Sequence, residues 1–95
     1  MLERDLQKKC IEYLKREGIY YLNIHGGGWG TRGAPDLLAC IAGRFVAFEL
    51  KAGSNQMAPA QKIHKGRIEA SGGRHYVPRS LEEFKRMVEE AKHAS

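Results

Sequence analysis

Two carboxylates and a lysine lie at the ends of two neighbouring apolar segments. Asp36 follows Pro35 and opens the first segment, while Glu49 and Lys51 close the second. Because residues two apart on a strand project from one face, Glu49 and Lys51 point together, and Leu50 points into the core with its carbonyl available. Two carboxylates and a carbonyl are an all-oxygen ligand set that suits Mg²⁺ or Mn²⁺. Together with a lysine ammonium, such a set can hydrolyse a phosphodiester.

The same residues also have an ordinary structural interpretation. Asp36 can cap a turn after Pro35, and Glu49 and Lys51 can form a solvated pair at a strand end. Asp, Glu and Lys at loose spacings occur by chance in many sequences, so the triplet alone favours this interpretation.

The hydropathy pattern predicts elements in the order αβββαβα. They are a helix over 2–17, a strand over 19–24, hairpin strands over 36–42 and 44–51, a helix over 59–70, a strand over 75–77, and a helix that follows Ser80 through Leu81, Phe84, Met87 and Val88. Gly18 ends the first helix, Gly43 turns the hairpin, and Ser80 with Glu83 predicts a capping box. The expected fold is α/β, a small mixed β-sheet flanked by helices in a single domain over residues 1–95.

The composition limits the class of protein. A chain of 95 residues has room for one hydrophobic core, and its apolar runs are too short to span a bilayer. Since no secretory signal is visible, a cytoplasmic location is expected. Cys10 and Cys40 are predicted to be reduced thiols in the core, and the scattered histidines argue against zinc. The net charge of +5 favours a polyanionic partner.

Several motifs resemble those of a known nuclease domain. Residues 33–36 and 49–51 are similar to the GxPD and ExK motifs of the virus-type replication-repair nuclease (VRR-NUC) domain, a branch of the PD-(D/E)xK superfamily. Glu3 and Gln7 match its Glu-xxx-Gln helix, Gln61 matches a glutamine on the helix after ExK, and residues 72–77 match its final strand segment. The resemblance covers nearly the whole chain and implies a restriction-endonuclease-like core.

The resemblance also implies roles for individual residues. Asp36, Glu49 and Glu3 would bind Mg²⁺ or Mn²⁺ together with the Leu50 carbonyl, and Lys51 would assist the attacking water. Gln61 would support the site. For Glu3 the alternative is a favourable position near the helix dipole, and for Gln61 it is an ordinary surface amide. Glu12, a rival carboxylate, lies more than two turns beyond Glu3 on the same helix and is not expected to reach the same ion.

Contacts with DNA are expected from a glycine-rich loop and from the second helix. In the loop, His25, Gly27 and Arg32 are candidates for phosphate contact, and Trp29 can stack on a base or fold back as a hydrophobic plug. The basic candidates on the second helix are Lys62, Lys65 and Arg67.

The resemblance implies the activity of a metal-dependent endodeoxyribonuclease that acts on branched DNA. A homodimer would present two active sites, which suits paired cuts across a four-way (Holliday) junction in a bacterial or phage-infected cell. Alternatives are nicking or trimming of other DNA structures, sequence-specific cleavage with a partner, a non-catalytic DNA-binding module, and a structural protein without DNA affinity.

Overall fold

The computed structural model describes residues 2–24 and 32–94, which contain three helices and four strands. In chain order they are α1 (Glu3–Arg16), β1 (Tyr21–Asn23), β2 (Leu37–Ile41), β3 (Arg44–Phe48), α2 (Pro59–Ala70), β4 (Arg74–Tyr76) and α3 (Leu81–His93). The order αβββαβα and the α/β class are therefore confirmed. His25, Gly27 and Trp29 lie outside the described residues. None of the helices in residues 2–24 and 32–94 has the length and apolar character to cross a membrane.

The sheet is mixed, as expected. Its strand order is β1-β2-β3-β4, in which β2 is antiparallel to both β1 and β3, and β4 is parallel to β3. The hairpin between β2 and β3 turns at Ala42 and Gly43, which both have positive φ, of 53° and 76°. Two such residues form the tight turn whose twist matches paired strands. The parallel step from β3 to β4 requires a crossover, and α2 provides it.

One face of the sheet carries the main core. Phe48 on β3 packs against Phe84 on α3, with ring centroids 4.6 Å apart, and Leu6, Leu14 and Val88 from the outer helices are also buried there. The helices α1 and α3 contact each other above this face. Burial of these large side chains supplies most of the driving force for folding.

The opposite face is only half covered. The helix α2 lies over β4, where Ala47 and His75 are neighbours in the register and both are buried. No residue of α2 itself is buried. The uncovered half, which we call the open face, consists of partly or fully exposed side chains on and beside β1, β2 and β3, namely Tyr20, Leu22, Leu38, Cys40 and Phe45.

Two details differ from the sequence-based expectations. Cys40 is exposed on the open face, so the prediction of two core thiols holds only for Cys10. The capping box at the start of α3 is half formed: the Glu83 N–H donates to Ser80 Oγ at 3.1 Å, but Glu83 Oε1 accepts from the Arg79 N–H at 2.8 Å. The backbone bends so that the residue before Ser80 presents its donor to the glutamate.

The two thiols should react differently. Burial raises the pKa of Cys10 to about 12, whereas Cys40 is open to solvent. In dilute native protein we expect Ellman's reagent to modify one thiol per chain quickly and the second only after unfolding, because the thiolate is the reactive form. Cys40→Ser should remove the fast reaction. Fast modification that persists in this variant would contradict the assigned burial.

Candidate active site

Asp36 is fixed by backbone bonds at the entrance to β2. Its N–H donates to the Phe48 carbonyl at 3.0 Å, and its own carbonyl accepts from Ile24 N–H at 2.9 Å. Its side chain turns across the hairpin, where Oδ2 accepts from the buried Leu50 N–H at 2.8 Å. These bonds hold the carboxylate against the end of β3. Asp36 is therefore preorganised beside the residues that follow that strand.

Glu49 meets Asp36 in the interior. Its N–H donates to the Tyr76 carbonyl at 2.9 Å, which continues the parallel pairing of β3 with β4. Glu49 is 3% exposed and Asp36 is 7% exposed. Within residues 2–24 and 32–94, Glu49 Oε1 is buried without a hydrogen-bond partner. A buried, unpaired carboxylate oxygen is costly, so this atom needs a proton or a cation.

The electrostatics of the pair agree with its geometry. Burial, followed by the charge of Asp36 and a hydrogen bond with it, raises the pKa of Glu49 to about 8. The Lys51 ammonium opposes this rise and Glu3 adds to it. Without a bound cation, Glu49 is therefore mainly protonated at neutral pH, because two adjacent buried carboxyls resist joint ionisation.

Lys51 and Glu3 lie at the rim of the pair. Lys51 is half-buried, and its N–H donates to the Pro78 carbonyl at 3.2 Å. Glu3, in the first turn of α1, accepts a long bond of 3.4 Å at Oε1 from the Ala52 N–H. Leu50, between Glu49 and Lys51, is buried in the core. The structure thus brings Glu3 and Asp36 close to Glu49 and Lys51, from which both are distant in sequence.

Among the described residues, Asp36 and Glu49 are the buried carboxyls that could ligate a metal ion. Among the residues that the structure describes, no three His, Cys, Asp or Glu side chains converge as a group able to hold one metal ion. Glu3 therefore lies near the pair without completing a three-carboxylate cluster.

Some of the other predicted site residues form contacts elsewhere, and some are exposed to solvent. Gln61 Oε1 accepts from the Ala58 N–H at 2.8 Å, so this side chain caps the start of α2. Lys65 Nζ already donates to Glu69 Oε2 and to the His75 carbonyl, at 3.0 and 3.2 Å. The remaining basic candidates in the described residues are exposed, namely Arg32, Lys62 and Arg67.

Sequence reasoning missed two residues that hold loops around the site. Arg79 donates from Nη1 to the carbonyls of Gly53 and Asn55, at 3.0 and 2.7 Å, and so holds the loop after Lys51. His64 Nε2 lies 3.0 Å from the Arg32 carbonyl. Both contacts join distant parts of the chain through backbone carbonyls, which leave no mark in the sequence.

The raised pKa of Glu49 gives a stability prediction. The unfolded chain loses this proton near pH 4.5 and the native chain near pH 8, so the native state holds the extra proton in between and loses stability as the pH rises. Burial of neutral His75, whose pKa is lowered to about 4, has the opposite effect below pH 6.5. In EDTA, we expect the free energy of unfolding to fall by roughly 1 kcal/mol per pH unit from about pH 6.5 to 7.5.

Urea unfolding followed by circular dichroism measures this dependence. Glu49→Gln should flatten the profile and should be at least as stable as wild type at the upper end. Glu12→Gln, at an exposed position of α1, is the matched control and should keep the wild-type slope. Parallel profiles for wild type and Glu49→Gln would contradict the assignment of the proton to this pair.

The comparisons with known proteins agree on the fold. In sequence, no family model and no curated protein matches this chain. A solved structure titled "VRR_NUC domain" superposes with a TM-score of 0.78 at 24% identity, over 98% of this chain and 97% of that one. A second, titled "VRR_NUC domain protein", has a TM-score of 0.77 at 20% identity, over 96% and 88%. The chain therefore has the fold of these VRR_NUC structures over nearly its whole length.

Proposed function

We propose that this protein is a nuclease that hydrolyses phosphodiester bonds in DNA with the help of a divalent metal ion. The observation that carries the proposal is the buried pair of Asp36 and Glu49, with an unpartnered glutamate oxygen and a lysine at the rim. A structural role alone gives no reason to bury two adjacent carboxyls. The likeness in fold to structures titled VRR_NUC supports the same activity.

The donor set fits Mg²⁺ or Mn²⁺. Asp36 and Glu49 offer carboxylate oxygens, and we propose that the Leu50 carbonyl joins them, with Glu3 acting at the rim. A hard cation takes oxygen ligands and keeps several waters, so two carboxylates are sufficient anchors. When bound, such an ion neutralises charge on the phosphate and lowers the pKa of a coordinated water.

The protein's own groups are arranged to assist the reaction. The Leu50 N–H fixes Asp36 Oδ2 at 2.8 Å, so that carboxylate needs no reorganisation when substrate arrives. Lys51 is half-buried and its charge acts on Glu49. We propose that its ammonium orients the attacking water and stabilises negative charge that develops on the phosphate. Gln61 would contribute indirectly, by capping the helix that borders the site.

We propose that the DNA backbone lies along exposed basic residues. Arg32, Lys62 and Arg67 are exposed, and the chain carries a net charge of +5. His25, Gly27 and Trp29 are proposed to contact the DNA from the preceding loop. Lys65 is the weakest of these candidates, because its amine already binds Glu69 and a backbone carbonyl.

We further propose that the protein acts as a homodimer on four-way junctions in the cytoplasm of a bacterial or phage-infected cell. The open face supports self-association, since Tyr20 is 69% exposed and Phe45 is 50% exposed on a sheet surface that α2 leaves uncovered. Contiguous apolar surface of this kind is typical of protein interfaces. Two copies related by a two-fold axis would present two sites to a branched substrate.

Cleavage of labelled four-way junction, flap, single-stranded and duplex DNA tests the proposal. With Mg²⁺ or Mn²⁺ we expect wild type to cut the junction, and we expect EDTA to prevent it. Asp36→Asn and Lys51→Met should each lower the rate by about 100-fold or more, because each removes a group needed in the transition state.

Glu82→Gln and Lys85→Met on α3 are the matched controls and should cut like wild type. Preference for flaps or single strands would replace the junction as substrate without changing the chemistry. Wild-type protein that binds DNA but cuts nothing with either metal would instead favour a non-catalytic DNA-binding module. Equal rates for wild type and Asp36→Asn would contradict the assigned site.

The oligomeric state makes a separate prediction. Phe45→Glu places a charge on the open face and should convert a wild-type dimer to a monomer in light scattering after size exclusion. Lys62→Glu, which changes charge on the exposed side of α2, should remain dimeric. A wild-type monomer at all concentrations, or an unchanged dimer in Phe45→Glu, would contradict this interface.

A further inference from the structure

The backbone that leads into Asp36 is attached to α2 at two points. His64 Nε2 lies 3.0 Å from the Arg32 carbonyl, and because a carbonyl only accepts, the imidazole must donate its Nε2–H. One turn earlier on α2, Ala60 lies in close contact with Gly33. A Cβ placed at Gly33 would lie 2.6 Å from the Ala60 carbonyl carbon. Only glycine allows this approach, so residues 32 and 33 are seated directly on the helix.

The helix is itself fastened to the sheet. Lys65 Nζ donates to the carbonyl of His75 in β4 at 3.2 Å, and Ile68 Cγ2 lies 3.0 Å from the position that a Cβ on Gly73 would occupy. These contacts attach α2 to β4. The hydrogen bond from His64 therefore holds the Arg32 backbone in position relative to the sheet, which also carries Glu49.

Arg32 is suited to receive a phosphate. Its side chain is exposed, and within residues 2–24 and 32–94 no carboxylate forms an ion pair with it. It stands four residues before Asp36, so their backbones are no more than about 14 Å apart. An arginine whose backbone is already held loses less conformational freedom on binding than one on a free segment.

We infer that His64 is a positioning residue, which holds Arg32 for contact with the DNA backbone beside the active site. The inference rests on the proposed function, because it assumes that DNA is the substrate. It assigns His64 no part in the chemical step. The hydrogen bond to the Arg32 carbonyl is the feature that matters, so another side chain that donates from the same place should replace the histidine.

A double-mutant cycle tests this inference. Binding of a fluorescent four-way junction is measured by anisotropy, with Ca²⁺ in place of Mg²⁺, for wild type, Arg32→Ala, His64→Leu and the double variant. We expect each single variant to weaken binding by about threefold to tenfold, in line with one charge-assisted contact. The double variant should bind no more weakly than Arg32→Ala, because His64 acts only through Arg32.

Conservative variants separate positioning from general stabilisation. The amide nitrogen of His64→Gln reaches about as far as Nε2 and should restore wild-type affinity. The shorter His64→Asn keeps a polar group without the reach and should behave like His64→Leu. The plot of log Kd against log salt should lose up to about one unit of slope in Arg32→Ala and in His64→Leu.

The outcomes distinguish this inference from the proposed function. Additive losses in the cycle, or a His64→Gln variant as weak as His64→Leu, would overturn the positioning role even if wild type cleaves DNA. Wild type that binds DNA without cutting it would overturn the nuclease while the cycle still decides the role of His64. Absence of any DNA binding by wild type at low salt would overturn both.

Discussion

Two carboxyl groups that lie side by side in a protein interior cannot both be ionised unless a positive charge compensates them. Asp36 and Glu49 are under this constraint. They are held side by side by the hairpin register, by the bond from the Leu50 N–H to Asp36, and by the pairing of Glu49 with Tyr76. The protein therefore keeps two buried carboxyl groups that lower its stability, where apolar side chains would pack without this cost. Such costs are typical of functional sites, where stability is given up for a group that must meet a ligand.

Three other parts of the fold position the segments around this carboxyl pair. The helix α1 brings Glu3 to the rim, the segment before α3 holds the loop after Lys51 through Arg79, and α2 seats the segment that leads to Asp36. These contacts are polar and lie at the edge of the sheet, whereas the large apolar side chains lie under α1 and α3. Stability and chemistry thus occupy different parts of the same small molecule, so site variants can be tested without removing the core.

The sequence predicted much of the fold, because its signals are local. Helical periodicity, Gly43 at the hairpin and Pro59 at the start of α2 led to the correct element order, and the predicted bounds of α2 match the observed ones. The position of Cys40 could not be predicted, because β2 is apolar at every position and alternation does not show which face is covered. The contacts of Arg79 and His64 depend on chain segments that meet only in the tertiary structure. Gln61 was assigned to the active site because it matches a family motif, and its capping of α2 was not predicted.

We propose that Asp36 and Glu49 form a metal site, and an anomalous difference map from a crystal grown with Mn²⁺ tests this directly. We expect one peak within coordination distance of a carboxylate oxygen from each residue, at about 2.0 to 2.3 Å. The peak should disappear in Asp36→Asn. Ordered carboxyls that remain hydrogen-bonded to each other at saturating Mn²⁺, with no peak between them, would contradict the proposed metal site.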